Sequence, residues 1–138
     1  MKKIVKSTIR LLIVIVVATV LVVGAKILID GMYLWGIPDL KEVQTVSISY
    51  PRVTEEIKEI SSQEDKELSL KLTGFLKYDL FKKADSNEKP LITITYHLKD
   101  GTDKTISANN TTVWWNGKTY VIKDQEMFVN LTEGIFFL

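Results

Sequence analysis

The sequence predicts an α+β domain carried by a single N-terminal transmembrane helix. Three patterns predict this fold class: an uncharged apolar run near the N-terminus, one capped amphipathic helix in mid-chain, and alternating apolar and polar residues around two hairpin turns in the second half. The expected sheet is antiparallel with four to five strands, and one helix packs on it. The expected domain spans residues 43–138.

Residues 11–29 form the predicted transmembrane helix. Leu11 to Ala25 contains no charged residue, and a helix of this length reaches about 28 Å, close to the roughly 30 Å of bilayer hydrocarbon. Lys26 lies about one turn from the end of the run, where its long side chain can carry the ammonium group to the headgroups. The segment can therefore span a bilayer.

The residues on either side of the apolar run predict its orientation. By the positive-inside rule, the tail of residues 1–10 is cytoplasmic and the residues from about 31 onward lie outside, because the tail carries Lys2, Lys3, Lys6 and Arg10. Tyr33 and Trp35 lie in the predicted interfacial linker of residues 30–42, where an interfacial aromatic belt is expected.

A cleaved signal peptide is the alternative interpretation of the same segment. The basic start, the apolar run and Val23-Gly24-Ala25 together fit a signal sequence with a small-residue cleavage site. Cleavage after Ala25 would leave a secreted protein beginning KILIDGMYLWGIP, which would expose an apolar patch with no evident purpose. The sequence therefore favours a retained anchor.

The first half of the domain contains one predicted helix. Residues 43–50 alternate as a strand, and residues 53–60 fit either a second strand or a short helix, with strand preferred. Ser62 followed by Asp65 is typical of a helix start. The expected buried stripe of this helix consists of Leu68, Leu72, Phe75, Leu76 and Leu80.

The second half is predicted to be an antiparallel meander over about 90–123. Asp100-Gly101 and Asn116-Gly117 supply the positive φ angles of hairpin turns. One strand face is apolar throughout, with Ile92, Ile94, Tyr96 and Leu98. The tail, residues 125–138, is expected to close the core with a turn of helix or a loop and then a last strand or strap.

The hairpin VWWNGKTYVI, residues 113–122, contains the candidate binding residues Trp114 and Tyr120. A two-residue turn at Asn116-Gly117 places Trp115 opposite Lys118 and Trp114 opposite Thr119. Val113, Trp115, Tyr120 and Ile122 then share the core face, and Trp114 lies on the more polar face. There its ring could stack on a ligand, or it could pack under the linker or the C-terminal tail.

Composition excludes several classes of site. The chain has no cysteine, which removes disulfides and thiolate chemistry. Residues 39–138 contain 13 basic and 16 acidic residues, without the basic stripe that nucleic-acid binders show. His97, the only histidine, shares its strand face with threonines, and no serine is expected near a base. The sequence therefore predicts no catalytic residue, no metal, no cofactor and no enzyme.

The order of features resembles a known group of proteins. A Met-Lys-Lys start, one apolar segment, a capped helix, then TYHLKDG, VWWNGKTYVI and Gly134-Ile135-Phe136 resemble small membrane-anchored or secreted extracytoplasmic domains of Gram-positive bacteria, a group without assigned activity. The resemblance implies a similar fold and location in the cell envelope. We therefore expect a non-enzymatic single-pass membrane protein whose outer domain binds another envelope protein or, alternatively, a cell-wall glycan.

Overall fold

The computed structural model describes residues 2–84 and 87–138, and it confirms the α+β class with an apolar N-terminal helix. The helices are α1 (Lys2–Asp30), α2 (Gln63–Phe75) and α3 (Met127–Phe136), and a short 3-10 helix covers Leu40–Glu42. The strands are β1 (Met32–Tyr33), β2 (Val43–Ser49), β3 (Lys58–Ile60), β4 (Lys77–Asp79), β5 (Ile92–Leu98), β6 (Asp103–Ala108), β7 (Thr112–Trp115) and β8 (Lys118–Ile122).

The described strands form one antiparallel sheet of eight strands in the order β1-β4-β8-β7-β6-β5-β2-β3. The expectation of four to five strands was therefore wrong. Among the additional strands are β1 and β4, with two and three residues. Segments of two or three residues are too short to show alternation in the sequence. They become strands only because they pair with a neighbouring strand. Within residues 53–60 only Lys58–Ile60 is a strand, and turns precede it.

The meander agrees with the sequence and both predicted turns are present, but at Asp100-Gly101 only Gly101 has a positive φ, 87°. β5 to β8 follow one another in the sheet, and Trp115 pairs with Lys118 as the Asn116-Gly117 turn requires. Asn116 and Gly117 both have positive φ, 50° and 73°. This register places Val113, Trp115 and Ile122 in the core.

Helix α2 begins as predicted, and the predicted stripe is confirmed in part: Leu72 and Leu76 are buried and Leu68 packs against the core. The Ser62 hydroxyl accepts a hydrogen bond from the Asp65 amide at 3.2 Å. The helix ends at Phe75, and Phe75 and Leu80 of the predicted stripe are exposed. The residues that α2 buries are Lys66, Ser69, Leu72 and Thr73.

A buried polar cluster explains why Ser69 and Thr73 belong to the buried face of α2. The Tyr96 hydroxyl of β5 donates to the Ser69 carbonyl at 2.7 Å and lies 2.6 Å from the Thr73 hydroxyl. A buried phenol needs such partners, and the small residues of α2 supply them. Burial raises the pKa of Tyr96 to about 12.

The C-terminal tail forms a second packed helix. The expectations of one packed helix and of a last strand or strap were both wrong, since α3 covers Met127–Phe136. It buries Phe128, Val129, Thr132 and Phe136, which recur at helical spacing. Both helices thus contribute to the core on the same sheet face, together with Val46, Ile48 and Ile94.

The segment after α1 packs against the sheet. Gly31 has φ +78°, and a Cβ there would lie 2.8 Å from the Tyr78 carbonyl oxygen. β1 follows at once and pairs with β4, and Leu34 is 6% exposed in the core. The Lys104 ammonium donates to the Gly36 carbonyl at 2.7 Å. Most of the predicted linker is therefore held by contacts with the domain.

Candidate functional site

The central strands bury their apolar side chains under α2 and α3 and present polar side chains on the opposite face, because strand residues alternate in direction. We call this second set the open face. It comprises Thr45, Ser47, Ser49, Glu59, Thr93, Thr95, His97, Asp103, Thr105, Ser107, Trp114 and Thr119, all partly or fully exposed.

Strand pairing arranges the open face in rows that cross the sheet. The first row runs through Ser49, Thr93, Ser107, Trp114 and Thr119. A second row runs through Glu59, Ser47, Thr95 and Thr105, and a third through Thr45, His97 and Asp103. Neighbouring strands lie about 4.8 Å apart, so each row repeats a polar group at that spacing.

Several of these hydroxyls are hydrogen-bonded in cross-strand pairs. The Thr93 and Ser107 hydroxyl oxygens lie 3.1 Å apart, and the Thr105 hydroxyl donates to Thr95 at 3.4 Å. Each pair uses one of its two hydroxyl hydrogens internally. The other hydrogen and the remaining lone pairs can serve a ligand as donor and acceptor.

One chain of hydrogen bonds on the open face has the residue types of a catalytic triad. His97 Nε2 lies 2.7 Å from Ser47 Oγ, and His97 Nδ1 lies 2.9 Å from Asp103 Oδ1. The expectation that no serine lies near a base was therefore wrong. Ser47 and His97 are 50 residues apart, so only the β2–β5 pairing brings them together.

The surroundings of Ser47 do not favour a nucleophile. Its hydroxyl also donates to the exposed Glu59 carboxylate at 2.8 Å, so Glu59 and His97 compete for a single hydrogen. The carboxylate would also repel a developing oxyanion. Ser47 lies inside β2 between β3 and β5, where ladder hydrogen bonds engage the amides that an oxyanion hole would require. The hydrogen bonds from Glu59 through Ser47 and His97 to Asp103 instead link the four strands β3, β2, β5 and β6.

Trp114 and Tyr120 lie on different faces of the sheet. Trp114 is partly exposed on the open face, beside Ser107 and Thr119. Tyr120 lies on the other side, with its ring centroid 4.2 Å from that of Tyr78. The two candidate residues therefore cannot contribute to one binding site. The tryptophan that contacts the linker is Trp115, whose indole N–H donates to the Trp35 carbonyl at 2.7 Å.

A loop closes one end of the open face near β7. The Glu88 carboxylate accepts hydrogen bonds from the Thr111 hydroxyl at 2.7 Å, Asn109 Nδ2 at 2.9 Å and the Thr112 hydroxyl at 3.1 Å. These donors lower the pKa of Glu88 below its ordinary value. Thr112 is buried beneath the loop, so the accessible surface begins at Trp114.

The apolar stretch of α1 covers Ile4–Ile27, with a mean hydropathy of 2.6, and none of it is buried within the protein. This helix is long and apolar enough to cross a membrane. The orientation residues Lys6 and Arg10 are exposed on it. Lys2 and Lys3 belong to its first turn, but their side chains lie outside the described part. Tyr33 and Trp35 are 54% and 89% exposed just beyond the helix.

Neither the comparisons with known proteins nor the described Asp, Glu and His residues point to a further site. No family model, no curated protein and no solved structure matches the chain. Within residues 2–84 and 87–138, no group of three or more His, Asp or Glu side chains is placed to hold a metal ion. The open face and the exposed helix α1 are therefore the features from which a function can be argued.

Proposed function

We propose that this protein is a single-pass membrane protein that holds a non-enzymatic interaction domain against the outer side of the membrane. The observation that supports it is the exposed apolar helix α1, which leads through Gly31 directly into the sheet. In this arrangement the N-terminus is cytoplasmic, and the domain lies within a few residues of the bilayer surface.

The energetics of α1 support membrane insertion. Its valine, leucine and isoleucine side chains are exposed over seven helical turns, which in water would form an apolar surface far larger than soluble monomers tolerate. In a bilayer the same surface is solvated by lipid, and the helix satisfies its own backbone. Lys77 Nζ lies 5.2 Å from the Tyr33 ring centroid, so a cation and an aromatic ring occupy the expected interface together.

The open face supports an interaction function. It presents many uncharged hydrogen-bonding groups and one large ring, while its only serine–histidine pair is compromised by Glu59. The partner that we propose is another component of the cell envelope, either a protein or a wall glycan.

Site-specific labelling tests the location and the topology. Because the chain lacks cysteine, single variants Ser7→Cys and Thr105→Cys each provide one thiol. In intact cells, a membrane-impermeant maleimide should label Thr105→Cys, while Ser7→Cys should react only after lysis. Both variants should remain with the membrane fraction after a carbonate wash.

The secreted alternative has a distinct outcome. Cleavage after Ala25 would release a chain starting at Lys26 into the medium, and sequencing of its N-terminus would reveal it. That result, or labelling of Ser7→Cys in intact cells, would contradict the proposal.

A further inference from the structure

We propose that the open face is a glycan-binding site, in which Trp114 stacks on a sugar ring and the hydroxyls of Thr93, Thr105 and Ser107 bond to neighbouring sugars. The inference deepens the proposed function, since it rests on the domain being exposed in the envelope. The ligand class is an uncharged, polyhydroxylated chain.

The first argument is the match of hydrogen-bonding groups. A sugar hydroxyl is both donor and acceptor, as are the serine and threonine hydroxyls that dominate the open face. The Thr93–Ser107 pair, at 3.1 Å, retains one hydrogen and free lone pairs. Rows spaced by about 4.8 Å offer such groups repeatedly, which suits a polymer with repeating hydroxyls.

The second argument is charge. The residues that define the open face include the carboxylates of Glu59 and Asp103 and the imidazole of His97, but no lysine or arginine. The lysines on the same side of the sheet, Lys77 and Lys123, lie beyond Trp114 at β4 and at the end of β8, where Lys123 is paired with Asp79 at 3.3 Å. Lys58 and Lys104, from the strands of Glu59 and Asp103, point to the other side, where they bond the carbonyls of Phe136 and Gly36. A polyanion such as nucleic acid or a phosphate-rich wall polymer would meet carboxylates here, whereas an uncharged glycan would not.

The third argument is the position of Trp114. Its ring lies in the first row between Ser107 and Thr119, so an apolar plane is flanked by hydroxyls on both neighbouring strands. Sugar rings have apolar C–H faces and polar rims, and this arrangement accommodates both.

A protein partner fits this surface less well. The centre of a protein–protein interface is usually apolar and rich in aromatic residues. Among the residues that define the open face, Trp114 is the one Phe, Trp or Tyr, and its neighbours across the strands are the hydroxyl residues Ser107 and Thr119. Direct docking of a folded protein would bury many of these hydroxyl groups without hydrogen-bond partners. Each such group would reduce the free energy of binding.

Retention on insoluble glycans tests the inference with the full-length protein in detergent micelles. The probes are three uncharged insoluble glycans: chitin, cellulose and β-1,3-glucan. We expect at least one probe to retain the protein and Trp114→Ala to weaken its apparent Kd about tenfold. Trp35→Ala is the matched control, because Trp35 is exposed outside the open face and its loss should leave retention unchanged.

Thr105→Val is the second variant, because it removes an exposed hydroxyl while keeping the shape of the side chain, and it should fold even if Trp114→Ala does not. We expect it to weaken retention at least about threefold.

Absence of retention on all three probes would overturn the inference, as would equal losses in Trp35→Ala and Trp114→Ala or unchanged retention in Thr105→Val. Photo-crosslinking from position 105 to a protein that competes with the glycan would overturn it too.

The retention experiment, together with the labelling and N-terminal sequencing described above, separates this inference from the proposed function. Retention on a glycan by a protein found secreted and cleaved would overturn only the membrane anchor. A correctly oriented membrane protein that no probe retains would overturn only the glycan site.

Discussion

The indole N–H of Trp115 donates a hydrogen bond to the main-chain carbonyl of Trp35, 2.7 Å away and 80 residues earlier in the chain. This bond connects the segment that follows α1 to the hairpin of β7 and β8. Asn116 Nδ2 approaches the same carbonyl at 3.4 Å. The orientation of the domain relative to α1 therefore depends on a contact between the linker and the core.

We expect Trp115→Phe to lower the free energy of unfolding by about 2 kcal/mol, because it removes this donor and leaves a small cavity in the core. Urea titration of the full chain in detergent, followed by far-UV circular dichroism, measures the change. Trp114→Phe on the partly exposed open face should cost less than about 1 kcal/mol. Equal losses in the two variants would show that the linker contact is unimportant.

Gly31→Ala should destabilise the junction between α1 and the sheet by at least about 2 kcal/mol. Alanine disfavours the φ of +78°, and its Cβ would lie 2.8 Å from the Tyr78 carbonyl oxygen. Gly74→Ala is the control: Gly74 lies inside α2, where an added Cβ would meet no atom within 4 Å, so the helix should gain up to about 1 kcal/mol. Thermal unfolding of both variants in micelles should show shifts of opposite sign.

Stability should fall at high pH because of Tyr96. Its pKa is about 12 in the folded protein against 10.0 for an ordinary tyrosine, so the unfolded chain loses this proton first. The stabilisation that the protonated Tyr96 provides is fully present below pH 10 and is lost as the pH rises through 12. Burial also raises the pKa values of Tyr50 and Tyr78, which adds to the slope.

Tyr96→Phe separates the Tyr96 contribution from those of the other tyrosines. It should flatten the decline in urea midpoint between pH 10 and 12, and at pH 7 it should cost about 1–2 kcal/mol, because Ser69 and Thr73 lose a buried partner. An unaltered slope in Tyr96→Phe would refute the assignment.

Ser47 should not react as an activated nucleophile. Glu59 competes with His97 for its hydroxyl hydrogen, so we expect a fluorophosphonate probe to leave Ser47 unmodified between pH 6 and 9, as judged by intact mass. Ser49→Ala provides the mass control for labelling elsewhere on β2. A covalent adduct at Ser47 that disappears in His97→Gln would show that the proposal of a non-enzymatic domain is wrong.

The parts of the fold that the sequence predicted correctly are those determined by local chemistry. Asn116-Gly117 dictates the register of β7 and β8, Ser62 with Asp65 begins α2, and alternation over seven residues defines β5. The errors involve nonlocal contacts. β1 and β4 become strands because they pair with each other and with β8, and α2 turns Ser69 and Thr73 inward because the hydroxyl of Tyr96 needs partners.

The sequence by itself determined the apolar helix, the α+β class, the meander and the side of the hairpin on which Trp114 lies, because each follows from residues close together in the chain. Only the tertiary structure decided that Ser47, His97, Asp103 and Glu59 form one hydrogen-bonded chain and that the hydroxyls align in rows beside Trp114. The physical reason is that strand order and register bring together residues that are distant in sequence, and these follow from the packing of the whole core.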